Sequence, residues 1–126
     1  KKKKKEALLR IVPQPLFPSL VWATLFDDHK ALNNSLMEQI AQLQQQDPEG
    51  VDNTNVKGWQ SPNNLQNLPA FEDINRFILQ ACQRIAESLH FRQNLNYHLQ
   101  SWANVSPPGA SNKIHYHANC HFRGVY

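Results

Sequence analysis

Apolar residues recur at helical spacing in two stretches of the chain and at alternating spacing in a third. From His29 to Gln46 the apolar positions Leu32, Leu36, Ile40 and Leu43 fall on one stripe of a helix, and Gln42, Gln44, Gln45 and Gln46 make its outer side polar. Asp27 and Asp28 stand where a side-chain oxygen can cap that helix, and Asp47-Pro48-Glu49-Gly50 stops it. A second helix is predicted over Phe71 to Leu89, with a buried stripe of Phe71, Ile74, Phe77, Ile78, Ala81, Ile85 and Leu89. Cys82 lies beside that stripe and reads as a small buried thiol.

Beyond His90 the period changes to two. Leu95, Tyr97, Leu99, Ala103 and Val105 share one parity, while Asn96, His98, Gln100, Trp102 and Asn104 share the other. This predicts a strand with an apolar face and a mostly polar one. Ser106-Pro107-Pro108-Gly109 breaks it, and a further strand is expected from near Lys113 toward Tyr126. Upstream of the first helix, Arg10 to Phe26 is apolar and interrupted by Pro13, Pro15 and Pro18. Proline is confined to strand starts and edges, so this is an extended opening segment with Leu20 to Phe26 as its expected strand.

Residues 47–69 are rich in Asn, Asp, Gly and Pro and form a long loop, of the kind that is either functional or mobile. Trp59 sits inside it, in Gly58-Trp59-Gln60-Ser61. An indole in a polar loop buries a large area, so it is expected to plug the loop onto the core.

The chain has 126 residues with 40% apolar side chains, which suits a single domain. No stretch reaches the ~20 apolar residues of a membrane span, and no secretory leader follows the opening lysines. The formal charge of +3 resides in Lys1 to Lys5; the other residues carry eight basic side chains against ten acidic ones. Residues 1–9 therefore read as a disordered basic tail, and the body has no basic stripe that would track nucleic acid. Two cysteines, Cys82 and Cys120, cannot build a disulfide framework or a four-cysteine zinc site. They read as ordinary thiols in a reducing compartment, so the expected location is the cytoplasm.

The chemistry concentrates in His115-Tyr116-His117. On a strand, residues i and i+2 point to the same face, which brings the two imidazoles a few ångströms apart. Imidazole suits iron, zinc, copper and nickel, so such a pair is half of a metal site. His121 has the same parity and joins the pair only if the strand stays regular across Ala118 to Cys120. Two histidines on a strand surface also occur without any metal, and the motif needs structural context to decide. No Gly-x-Ser-x-Gly turn, glycine-rich phosphate loop or carboxylate pair accompanies the histidines.

Trp102-Ala103-Asn104-Val105-Ser106-Pro107-Pro108-Gly109, followed by Asn112, His115, His117 and Gly124-Val125-Tyr126, resembles the Fe(II)- and 2-oxoglutarate-dependent oxygenases of bacteria and cyanophages. The upstream order of Leu16-Phe17-Pro18, a helix, Gly58-Trp59-Gln60-Ser61 and a second helix is similar too. The resemblance implies an α+β domain over residues 10–126: a double-stranded β-helix, or jelly roll, with N-terminal helices packed on the major sheet. It implies Fe(II) held by His115 and His117, with Asn104 and Tyr126 holding the 2-oxoglutarate co-substrate. His117 stands where the wider superfamily carries an acid, and Arg123 where this family has a serine. The family's distal histidine and its carboxylate-pairing arginine lie on later strands, so the resemblance makes residues 10–126 the N-terminal portion of such a domain, inactive alone. The implied substrate is a small molecule or a protein side chain.

Two other readings stand beside this one. Gly109, His115 and His117 are spaced like the start of a cupin motif, with His121 and Phe122 where a cupin carries glutamate. Alternatively the chain is a non-catalytic structural or interaction protein, a homo-oligomer or one completed by a partner's strand, because an unpaired edge invites strand addition.

Overall fold

The computed structural model describes Val12 and residues 17–27, 29–91 and 95–126. The first helix, α1, runs His29–Gln46, as its apolar stripe predicts. Leu32 and Leu36 are buried, and Ile40 and Leu43 pack beside them. Asp28, expected to cap it, lies outside the described residues, as do residues 1–11 with the basic tail. Past the helix, the Asp47 carboxylate accepts from the Gly50 amide at 3.2 Å, and Gly50 takes a φ of +61°, which turns the chain back.

Two short antiparallel ladders follow. β1 (Asn55–Val56) pairs with β4 (Ser111–Asn112), and β2 (Trp59–Gln60) pairs with β3 (Asn104–Val105). Both ladders join the same two stretches of chain. The Ser61 amide donates to Ala103 O at 2.9 Å and extends the β2–β3 register, while the Lys113 amide donates to Thr54 O at 2.8 Å and extends β1–β4. Between the ladders, Lys57-Gly58 faces the longer excursion Ser106–Ala110. Pro108 at the second corner and Gly109 at the third, with φ +82° and an Ala110 amide to Pro107 O bond, satisfy what a type II turn requires.

Two 3-10 turns, Leu65–Asn67 and Pro69–Phe71, lead into α2, Glu72–Ser88. Glu72 and Asp73 in its first turn oppose the positive end of the helix dipole. At the other end, His90 takes φ +56°, its amide bonds to Glu87 O, and the Phe91 amide reaches Ala86 O. That is a Schellman cap with histidine at the position glycine usually fills.

The core is Leu32 and Leu36 of α1 with Leu65, Phe71 and Ile74, and Phe26, Phe77, Ile78 and Ala103 pack onto it. Burying a side chain of this size contributes about 1.5–3 kcal/mol, whereas a ladder hydrogen bond contributes about 1 kcal/mol. The apolar cluster therefore supplies the cohesion, and the ladders decide where each segment goes. Trp59 plugs the loop onto the rest as expected: it is 5% exposed, and its indole N–H donates to Asp47 O at 2.8 Å, just past the end of α1.

The architecture is mixed α and β with small antiparallel sheets and no closed barrel among the described residues. Two expected strands do not form. Residues 20–26 carry no ladder; Leu20, Val21 and Leu25 are exposed, and the core uses only Phe26, whose ring lies 5.0 Å from Phe77. No strand edge among the described residues pairs with this run, and a lone strand leaves its N–H and C=O groups unpaired. The strand expected from Lys113 to Tyr126 is absent: β4 ends at Asn112, and its partner bends away at Asn53-Thr54 just beyond the last ladder bond. The 95–105 segment is an intermediate case. Burial alternates strictly from Tyr97 to Val105, yet only Asn104–Val105 is paired as a strand.

The two positive-φ glycines differ in surroundings. A Cβ on Gly50 would stand 2.5 Å from Gln60 O and 2.6 Å from the Trp59 indole nitrogen, whereas a Cβ on Gly109 meets nothing within 4 Å. Gly109→Ala should therefore cost only the left-handed backbone term, about 1–2 kcal/mol. Gly50→Ala should cost clearly more, since it adds a clash with a backbone carbonyl. Urea denaturation midpoints of the two variants check the order.

Candidate metal centre

His115 and His117 lie in the chain that follows the last ladder bond. The segment is not a strand, so the alternation expected to align the two rings is absent; the rings nevertheless meet, with centroids 4.9 Å apart and planes near perpendicular at 78°. Tyr116, between them, is exposed. The His115 Nδ1 lies 2.8 Å from Lys113 O. A carbonyl oxygen only accepts, so Nδ1 carries the proton and the Nε2 lone pair of neutral His115 remains for another partner.

His117 has a second aromatic neighbour. The Trp102 ring lies 5.6 Å from it, tilted by 32°. Trp102 stands on the outward face of the 97–105 segment together with Asn104. The backbone on both sides of it is held: the Ser101 amide donates to Gln66 Oε1 at 3.0 Å, and the Ala103 amide donates to Ser61 Oγ at 3.0 Å. Sequence reasoning gave Trp102 no role in the site. The signal was present, since an indole is the one large aromatic on an otherwise polar parity.

The other predicted site residues are placed apart from this pair or without contact to it. Asn104 is exposed on the Trp102 face, in register with Gln60. Tyr126 docks on the helices, donating its hydroxyl to Asn33 Oδ1 at 2.7 Å with its ring 6.5 Å from Phe77. His121 is exposed, and the turn at Ala118-Asn119, with Asn119 at φ +58°, interrupts the regular alternation that would have aligned it with the pair. Among the described residues no cluster of three His, Cys, Asp or Glu side chains is close enough to hold an ion.

The two thiols sit in different settings. Cys82 is half-buried on α2, and desolvation pushes its thiol up from the ordinary value, which keeps it protonated and inert at neutral pH. Cys120 is exposed, and Arg123 Nε donates to its sulfur at 3.3 Å.

The described residues bring two imidazole donors together and no third His, Cys, Asp or Glu beside them. One of the two has its far nitrogen already fixed by a carbonyl, which is how ligating histidines are usually oriented. No protein-family model, curated protein or solved structure matches the chain. No helix of the described residues is long and apolar enough to cross a membrane.

The Lys113 carbonyl dictates a tautomer. At a pH where the ring is neutral, ¹⁵N imidazole spectra should show His115 protonated at Nδ1 and bare at Nε2. A spectrum with the proton on Nε2 would remove this basis for a ligating nitrogen.

Proposed function

We propose that this chain carries the iron-binding part of an Fe(II)- and 2-oxoglutarate-dependent oxygenase of jelly-roll type. The observation that carries the reading is the contact between the His115 and His117 rings, with the His115 Nδ1 engaged by Lys113 O. Imidazole is a preferred ligand for Fe(II), and non-haem oxygenases leave positions open beside a small set of protein ligands. The resemblance over residues 102–126 supports the same assignment, and the small antiparallel ladders between 54–61 and 103–113 are compatible with a fold built on antiparallel sheet.

In this reading His115 presents Nε2 to the metal because its other nitrogen is tied to the backbone. His117 presents its ring from the adjacent face. Asn104 offers an exposed amide on the Trp102 side, suited to donate to a carboxylate of 2-oxoglutarate, whereas the Tyr126 hydroxyl is engaged by Asn33 on α1 and is not available to the co-substrate in this arrangement. When bound, the iron would supply the activation of dioxygen that hydroxylates a C–H bond. The protein's own residues orient the ligands and restrict water. A remaining protein ligand would come from a group outside the pair, and the substrate is a small molecule or a protein side chain.

Anaerobic titration with Fe(II), with and without 2-oxoglutarate, tests this directly. A weak visible charge-transfer band should appear only when both are present, and it should vanish in His115→Ala. Iron binding that ignores 2-oxoglutarate would favour a cupin-like metal site. No iron binding at all would contradict the oxygenase reading and favour a structural or interaction protein.

A further inference from the structure

Trp102 is the link between the histidine pair and the tightly bonded part of the fold. Its backbone neighbours are each fixed by hydrogen bonds. Ser101 O accepts from the Leu65 amide at 3.2 Å, the Ser101 amide is bound by Gln66, and Ala103 exchanges two bonds with Ser61 through the Ser61 amide and the Ser61 hydroxyl. Trp102 therefore stands on a braced backbone with its indole turned outward, 37% exposed. The histidine segment has far less support of its own. Past the Lys113 amide, no backbone hydrogen bond of residues 114–126 is found to another element among the described residues. Ile114 and Tyr116 on either side of His115 are exposed.

We infer that Trp102 is a positioning residue for the metal pair. Its tilted stack on His117 holds that ring, and the edge-to-face contact of His117 with His115 passes the constraint to the second ligand. The three rings form a chain: Trp102 to His117 at 5.6 Å and 32°, His117 to His115 at 4.9 Å and 78°. Both steps lie in the offset-stacked and edge-to-face range where aromatic rings attract each other beyond mere burial. The His115 end is closed by Lys113 O, and Lys113 is itself tied by its amide to Thr54 O. The pair is thus clamped from both ends, by an indole on one side and a peptide carbonyl on the other. Groups that orient a ligating histidine change metal affinity by about 10–100-fold when removed, and Trp102 is expected to act on that scale.

This inference rests on the metal reading above. The test uses Co(II) alone as the probe, in the wild-type chain, Trp102→Leu and Trp102→Phe. Visible absorption reads the binding, and the NMR signals of the histidine ring protons read the stack without any metal. In the wild type the His117 ring protons should be displaced upfield relative to those of the exposed His29 and His98. Trp102→Leu should abolish the displacement and weaken Co(II) at least tenfold. Trp102→Phe, which keeps a ring, should retain most of both. Equal Co(II) binding by wild type and Trp102→Leu would overturn the positioning role alone, as would a Phe variant no better than the Leu variant. A wild-type chain that takes no Co(II) would overturn the metal reading, and the positioning role with it, even if the His117 displacement is present.

Discussion

Ser61 is completely buried, yet it belongs to a polar loop whose backbone and hydroxyl groups all need partners. An unmet group at such a place costs about 1–3 kcal/mol, a large fraction of the stability of a domain this small. Two of the partners come from one residue far along the chain and the third from the neighbouring Pro62. The Ser61 amide donates to Ala103 O, and the Ala103 amide donates to Ser61 Oγ, which itself donates to Pro62 O. Neighbouring groups extend the same logic. Gln60, also buried, gives its carbonyl to the Val51 amide, and the Trp59 indole nitrogen takes Asp47 O. A ribbon of three residues, Trp59-Gln60-Ser61, thereby ties the end of the first helix, the loop after it and the 101–105 segment into one bonded layer.

This layer determines what the chemistry can rest on. The apolar cluster of Leu32, Leu36, Leu65, Phe71 and Ile74 provides cohesion but no direction, because apolar contact is not directional. The hydrogen-bonded ribbon supplies direction. It fixes Ala103, and so which side chains of the alternating segment face inward and which face out. Trp102 and Asn104 are outward for that reason, and His117 finds an aromatic surface waiting. The histidines themselves sit on chain with few backbone bonds. Their arrangement depends on side-chain contacts to the braced layer and on one carbonyl, from Lys113. In the proposed metal site the ligands need rigid neighbours, and the Trp102–His117 stack is the contact that would lend them that rigidity.

Local patterns in the sequence were legible where the structure is local. The stripe Leu32-Leu36-Ile40-Leu43 marks α1 to the residue, and Phe71 to Leu89 brackets α2 closely. The parity of residues 97–105 appears intact as alternating burial, and Trp59 is the plug its surroundings suggest. What was not legible is partner choice. Whether Leu20 to Phe26 or Lys113 to Tyr126 becomes a strand depends on a backbone edge elsewhere, and in both cases none is presented among the described residues. The pairing of 54–61 with 103–113 is equally non-local and left no periodic trace, because each ladder is only two residues long. In the candidate site, the His115 and His117 contact was expected from strand alternation, but it forms on a segment that is not a strand, so the spacing alone does not account for it. The contact of Trp102 with His117 depends on the register of Ala103 against Ser61, which no local pattern encodes.

Native-state hydrogen exchange reads the bonded layer directly. If the Ser61 to Ala103 clasp braces the fold, the amides of Ser61 and Ala103 exchange only through global unfolding and are among the slowest in the chain. Those of Ile114 to His117 exchange through local opening, well below that free energy. Exchange at Ser61 and Ala103 as fast as at Ile114 to His117 would contradict the account, because the histidine pair would then have no rigid layer to lean on.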